Sequence, residues 1–138
     1  MVIQRIQTLM LLIAVAMMAV FCFTPYATLA ADGVPTAVYV KDAPAFLTLN
    51  IVIAVLLFII IFMYKDLRRQ MRMTVLALLL ICASIVTCGF ILAVGLEDAT
   101  PVLLGGVSLL VLALLFGLLA YRGMRHDKRL LASADRLR

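Results

Sequence analysis

The chain has 138 residues, 67% of them hydrophobic and 14% charged, with a mean hydropathy of +1.23 and a formal net charge of +5. That composition is too apolar for a soluble domain and places the chain among membrane proteins. Its length suits one compact unit, so the expectation is a single domain over residues 1–138.

Four stretches free of Asp, Glu, Lys and Arg, at 6–31, 43–64, 73–96 and 99–121, each reach the roughly 20 residues that a bilayer crossing needs. They predict an all-α membrane protein built as a four-transmembrane-helix bundle, with spans over 6–24, 45–64, 73–96 and 100–121. The first span follows Arg5 and ends near Phe23, because Pro25 has no N–H to donate and disfavours helix at Thr24. A secretory signal peptide is the rival there, with Thr28-Leu29-Ala30 as a small-residue cleavage site. The eighteen-residue uncharged run over 6–23 exceeds the roughly 7–15 residues of such an apolar region, so the span is expected to be retained. An outer loop over 25–44 follows. Within it, Asp32-Gly33-Val34-Pro35 between two short arms predicts a β-hairpin.

The second span holds fourteen Leu, Ile, Val or Phe residues between Phe46 and Phe62. At roughly 0.3 to 0.6 kcal/mol each, insertion gains about 4 to 8 kcal/mol, which one Asn50 cannot reverse. The link over 65–72 lacks Gly and Pro and is expected to continue helical beyond Tyr64, with Asp66 and Arg69 spaced for an i, i+3 pair. Spans three and four are joined by about five residues, with Thr100 as helix N-cap and Pro101 at the first helical position, which makes them antiparallel neighbours. The tail over 122–138 reads as an amphipathic helix with Leu130, Leu131, Ala134 and Leu137 on one stripe among Arg129, Arg136 and Arg138. Two readings stand beside each other: a helix docking on a partner or on anionic lipid, and a basic flank that only fixes topology.

Eleven of the twelve basic residues lie before span one, between spans two and three, or after span four; only Lys41 lies on the other side. The positive-inside rule therefore predicts both termini in the cytoplasm, N-in/C-in. The basic balance is a topology signal, and no base-reading groups are interleaved among the arginines, so nucleic acid is not expected as a partner.

No ionisable residue lies inside a span, which argues against an ion-coupled transporter. His126 is the single histidine and falls in the tail; Cys22, Cys82 and Cys88 form no CxxC pair; Met10 and Met17 share a face without a supporting ligand shell. No metal, cofactor or catalytic residue is expected, and the chain does not read as an enzyme. Gly89-xxx-Ala93 and Ala113-xxx-Gly117 are small-residue spacings that favour close helix contact. By depth, Asn50, Thr87 and Ser108 are candidates for a small polar pocket in the outer leaflet beside Gly105 and Gly106. The alternative is that each hydroxyl bonds back to its own helix and Asn50 to a neighbour.

The opening Gln4-Arg5-Ile6-Gln7-Thr8-Leu9, the Tyr64-Lys65 exit and the closing Ser133-Ala134-Asp135-Arg136-Leu137-Arg138 together resemble domain-of-unknown-function family 4293 over essentially the whole chain. The resemblance implies a multi-pass protein of the bacterial inner membrane with four spans, and it supports keeping span one. It supplies no activity. If the tail folds back, Gln4, Arg5 and Gln7 would meet Asp135, Arg136 and Arg138 at the cytoplasmic surface, as a polar cluster or as two independent anchors. Together with Arg68 and Arg69 of the link, Arg5, Asp135, Arg136 and Arg138 form the candidate contact face for anionic lipid, a protein partner or a second copy. The function expected is that of a non-enzymatic accessory or scaffold protein with a basic cytoplasmic face. The alternative is small-solute or lipid handling at the polar pocket.

Overall fold

A computed structural model describes residues 2–95, 100–103 and 105–137. In chain order these form α1 (Val2–Phe23), β1 (Pro25–Ala31), β2 (Val34–Tyr39), a 3-10 turn (Val40–Asp42), α2 (Pro44–Phe62), α3 (Leu67–Gly95), β3 (Thr100–Leu103) and α4 (Val107–Arg136). Four helices are long and apolar enough to cross a membrane. They pack in a ring, each against its sequence neighbours, and α4 closes the ring through the most extensive interface, with α1. The expected contact between spans three and four is present as the α3–α4 interface.

Each helix buries one narrow seam. On α1 it is Gln7, Leu11, Ala14, Met18 and Phe21; on α2, Phe46, Asn50, Ile53, Leu57 and Ile60. On α3, Gln70, Thr74, Ala77, Ile81, Ser84 and Cys88 follow the same alternating steps of four and three, as do Leu110, Ala113, Gly117, Ala120 and Met124 on α4. A 3.5-residue repeat is the spacing that keeps a seam facing its neighbours in a left-handed bundle. Outside the seam the helices stay apolar: Ile51, Val55 and Phe58 on α2, and Leu79, Val86 and Phe90 on α3, are exposed. No more than 33% of any apolar window is buried in the bundle, so most of the hydrophobic surface needs a covering that the chain itself does not provide.

The hairpin forms where the sequence places it. Asp32 and Gly33 both take positive φ, 53° and 79°, as a two-residue hairpin turn requires, and Ala31 pairs with Val34 across it. A third strand was not foreseen. Thr100–Leu103 pairs antiparallel with β1, giving the order β2-β1-β3. The expected start of span four at 100, with Thr100 as cap and Pro101 at the first helical position, is thereby corrected: α4 begins at Val107. The free edge of β1 would otherwise leave backbone groups unpaired, and Thr100 and Val102 suit a strand. Both Pro35 and Pro101 sit on edge strands, where a missing N–H is tolerated. The remainder of the expected outer link, 96–99, lies outside the described residues.

At the opposite end the link after α2 is also corrected. The helix stops at Phe62, and most of 65–72 belongs to α3, which starts six residues before the expected span. Asp66 does not form a side-chain pair with Arg69; its Oδ1 accepts from the Arg69 N–H at 3.1 Å and caps α3. The Gly89-xxx-Ala93 spacing faces outward, with nothing within 4 Å of a Cβ added at Gly89, whereas Ala113 and Gly117 lie on the seam, Gly117 beneath Leu78.

Two contacts lock the sheet to the helices. Phe21, Tyr26 and Phe46 enclose one another, with Phe46 edge-on to each partner at 5.9 Å between centroids. Gly106 presses on β1: an added Cβ would lie 2.6 Å from the Pro25 carbonyl oxygen and against the Tyr26 backbone. Gly106→Ala should therefore lower stability by about 1 to 3 kcal/mol, as overpacking against backbone does, while Gly89→Ala should leave it unchanged; thermal unfolding of both variants in mild detergent checks this. Burial, then the neighbouring Cys88 and Asp42, raises the Tyr26 pKa above its ordinary 10.0. A raised folded-state pKa means that its contribution to stability is complete below pH 10 and is lost as pH climbs through the folded value. The stability difference between wild type and Tyr26→Phe should accordingly be flat below pH 10 and shrink above it.

Candidate functional site

Candidate polar groups fall into one pair inside the ring and a set at the end that carries Arg5, Lys65 and Arg125, here termed the basic end. Inside, the Asn50 side chain donates to the Phe46 carbonyl at 2.8 Å and accepts at Oδ1 from the Ser84 hydroxyl at 2.8 Å. Both residues are fully buried, so α2 and α3 are joined by a desolvated bond at one register. Thr87 and Ser108 are not part of it. The Thr87 hydroxyl bonds to the Ala83 carbonyl and that of Ser108 to the Gly105 carbonyl, each on its own chain segment. The expected pocket of Asn50, Thr87 and Ser108 resolves into separately satisfied groups because a hydroxyl can reach a carbonyl three or four residues back, whereas a side-chain amide has more bonds to satisfy.

At the basic end, Gln70 Nε2 donates to the Ile60 carbonyl at 3.0 Å, and the Thr74 hydroxyl donates to the Gln70 carbonyl at 2.8 Å. This fastens the last turn of α2 to α3. Across the ring Gln7 Nε2 donates to Asp127 Oδ2 at 2.6 Å, tying α1 to α4. Gly123 makes room for it: a Cβ there would meet Gln7 Cγ at 3.0 Å. Gln7, Thr8, Tyr64, Leu67 and Gln70 surround a cavity of about 20 Å³ between these two ties. That is enough for one water molecule.

The tail does not fold back. The tail expected from 122 continues α4 without a break to Arg136, and it meets α1 through Asp127, whose Oδ2 accepts from Gln7, rather than through Asp135 or Arg136. Asp127 was missed; its mark in the sequence is that it is the one acid among the bases from Arg122 to Arg129. Of the candidate contact face, Arg68 and Asp135 do come together, lining a cleft of about 370 Å³ with Lys65, Asp66, Lys128 and Leu131. Arg5, Arg69 and Arg136 are exposed and do not line it; Arg138 lies outside the described residues. Among the described residues there is no group of three or more His, Cys, Asp or Glu able to hold a metal ion.

The model of the family described as Domain of unknown function (DUF4293) matches residues 3–137, nearly the whole chain. The chain belongs to this family. No curated protein and no solved structure matches it. For this DUF4293 member the matched stretch runs from the residue after Val2 to Leu137, so it takes in both Gln7 and Asp127 and the exposed C-terminal end of α4.

If the Asn50–Ser84 bond sets the α2–α3 register, a double-mutant cycle on Asn50→Ala and Ser84→Ala should return a coupling of about 0.6 to 1.7 kcal/mol. A cycle pairing Asn50→Ala with Thr87→Ala should return none. Unfolding equilibria in bicelles read both.

Proposed function

We propose that the chain is a multi-pass protein of the bacterial inner membrane with both termini in the cytoplasm, acting as a non-enzymatic scaffold whose basic end holds a protein partner. Membrane insertion is supported by the four apolar helices and by exposed side chains such as Ile51, Val55 and Phe58, which no polypeptide layer covers. α2 is apolar on all faces yet only its seam is buried, the pattern of a span rather than of a core helix. The orientation is supported by charge, since Lys41 alone among twelve basic residues falls in the segments of the sheet end.

The observation that carries the scaffold reading is the length of α4. Its 30 residues extend about 45 Å at 1.5 Å per residue, against a hydrocarbon core of about 30 Å. The excess of about 15 Å stands beyond the bilayer as the last ten or so residues. From Lys128 onward every described residue is exposed, including Leu130 at 49% and Leu131 at 59%. A helix that presents leucines beside a cleft lined by Lys65, Arg68 and Lys128 together with Asp66 and Asp135 suits an amphipathic partner surface that carries charges of both signs with acids in excess. Anionic lipid would hold the flanking arginines at the same level. Solute handling at a pocket of Asn50, Thr87 and Ser108 gains no support from the geometry, because those groups are satisfied apart from one another.

Affinity purification of the full-length protein from mild detergent should recover a stoichiometric protein partner. Leu130→Glu with Leu131→Glu should abolish that recovery without lowering the melting temperature, since neither side chain packs in the bundle. An unchanged set of co-purified proteins in the double variant would overturn the reading.

A further inference from the structure

On the lateral face between α1 and α2, near the sheet, lies a cleft of about 460 Å³. Ala19, Cys22 and Phe23 line one side and Ile51 and Ala54 the other, with Lys41 at the end next to the sheet. The small side chains of Ala19 and Ala54 leave space where larger ones would close the α1–α2 contact, and Phe23, 84% exposed, stands beside it as a wall. The lining is apolar along the helices and cationic at one end only.

Lys41 is the feature that gives the cleft a direction. It is the one basic residue between Arg5 and Lys65, and it sits at the mouth of this hollow. Its ammonium lies 4.6 Å from the centroid of the Tyr39 ring, which holds it in place without neutralising it. The adjacent Asp42 carboxylate is engaged elsewhere, accepting from the Tyr39 N–H at 3.2 Å, and among the described residues no carboxylate pairs with Lys41. A cation at the head of an apolar groove, unpaired among the described residues, complements a molecule that is apolar along its length and anionic at one end.

We propose that this cleft binds one glycerophospholipid, with an acyl chain along Ala19 and Ala54 and the headgroup phosphate on the Lys41 ammonium. The site rests on the membrane crossing proposed above but not on the projecting end of α4, which lies at the other end of the bundle. A second copy of the chain is a poorer occupant, because Lys41, the charged group of the lining, asks for an anion at its end and the apolar lining for hydrocarbon along the rest.

The test adds phosphatidylglycerol to delipidated full-length protein and counts bound lipid by native mass spectrometry, while mass mapping follows the alkylation rate of Cys22 inside the cleft against that of the exposed Cys82. One lipid per chain should bind and slow alkylation at Cys22 alone. Lys41→Gln should weaken binding about fivefold, the effect of one basic residue near a lipid phosphate. Ala54→Leu and Ala19→Leu, each filling the hollow, should abolish the protection of Cys22, and Arg68→Gln at the basic end should change nothing. Protection that survives both filling variants, a loss matched by Arg68→Gln, or a mass shift to a dimer in place of a lipid adduct would each overturn the site. Recovery of the chain outside the membrane fraction would overturn the membrane reading first and this site with it.

Discussion

For helices that cross a membrane as proposed, the hydrophobic effect cannot decide which side of each faces its neighbours, because lipid tails are as apolar as a leucine-rich interior. Association has to come from close contact and from polar groups that have nowhere else to go. Both are concentrated on the 3.5-residue seam. Ala14, Ala77, Ala113, Gly117 and Ala120 let the helices approach, and Gln7, Asn50, Gln70, Thr74 and Ser84 sit on the same lines. Each polar seam group bonds across or along the ring, and among the described residues no buried side-chain N or O lacks a partner. The ring order, the level of the sheet and the place where α4 leaves the bundle all follow from that alignment.

Much of the architecture is legible in the sequence, and the reasons are specific. Uncharged runs reveal helices because a charge in hydrocarbon is costly, and Asp32-Gly33 reveals a hairpin because few other pairs take two positive φ values in succession. The helical tail is legible as well, from its leucine stripe. The seam is hidden, since Ile51 and Val52 beside it are as apolar as Ile53 and Leu57 within it. Its best markers are the side-chain amides: Gln7, Asn50 and Gln70 are all buried, because an amide cannot satisfy all of its hydrogen bonds on its own helix. Thr48, Thr87 and Ser108 mark nothing, since a hydroxyl is satisfied by the preceding turn of backbone. Depth alone groups Asn50 with Thr87 and Ser108; the Asn50 amide announces a partner on another helix, but nothing in the sequence singles out the Ser84 hydroxyl as that partner.

The third strand and the Gln7–Asp127 bond were out of reach for another reason. Both join segments far apart in sequence, and nothing local at Thr100 or Asp127 announces a partner near residue 30 or residue 7. A Thr-Pro pair at 100 and 101 is as good a helix start as an edge strand, and only the presence of β1 alongside decides between them. The two ends of the molecule thus differ in character. At the sheet end backbone pairing and an aromatic triad cover the ring, whereas at the basic end side-chain bonds hold it and leave α4 free to extend.

The closing contact between α1 and α4 has a consequence for the order of events during synthesis. Gln7 meets Asp127 across 120 positions of sequence, and β1 waits for Thr100–Leu103 before its second edge is paired. On the proposed membrane crossing, a chain made from its N-terminus holds α1 with the Gln7 amide unmatched until Asp127 has emerged, and one strand edge open until Thr100–Leu103 has. α1 packs on α2 early, but its largest interface waits for α4, so on the proposed crossing the half-made protein is the form most exposed to other helices in the same membrane.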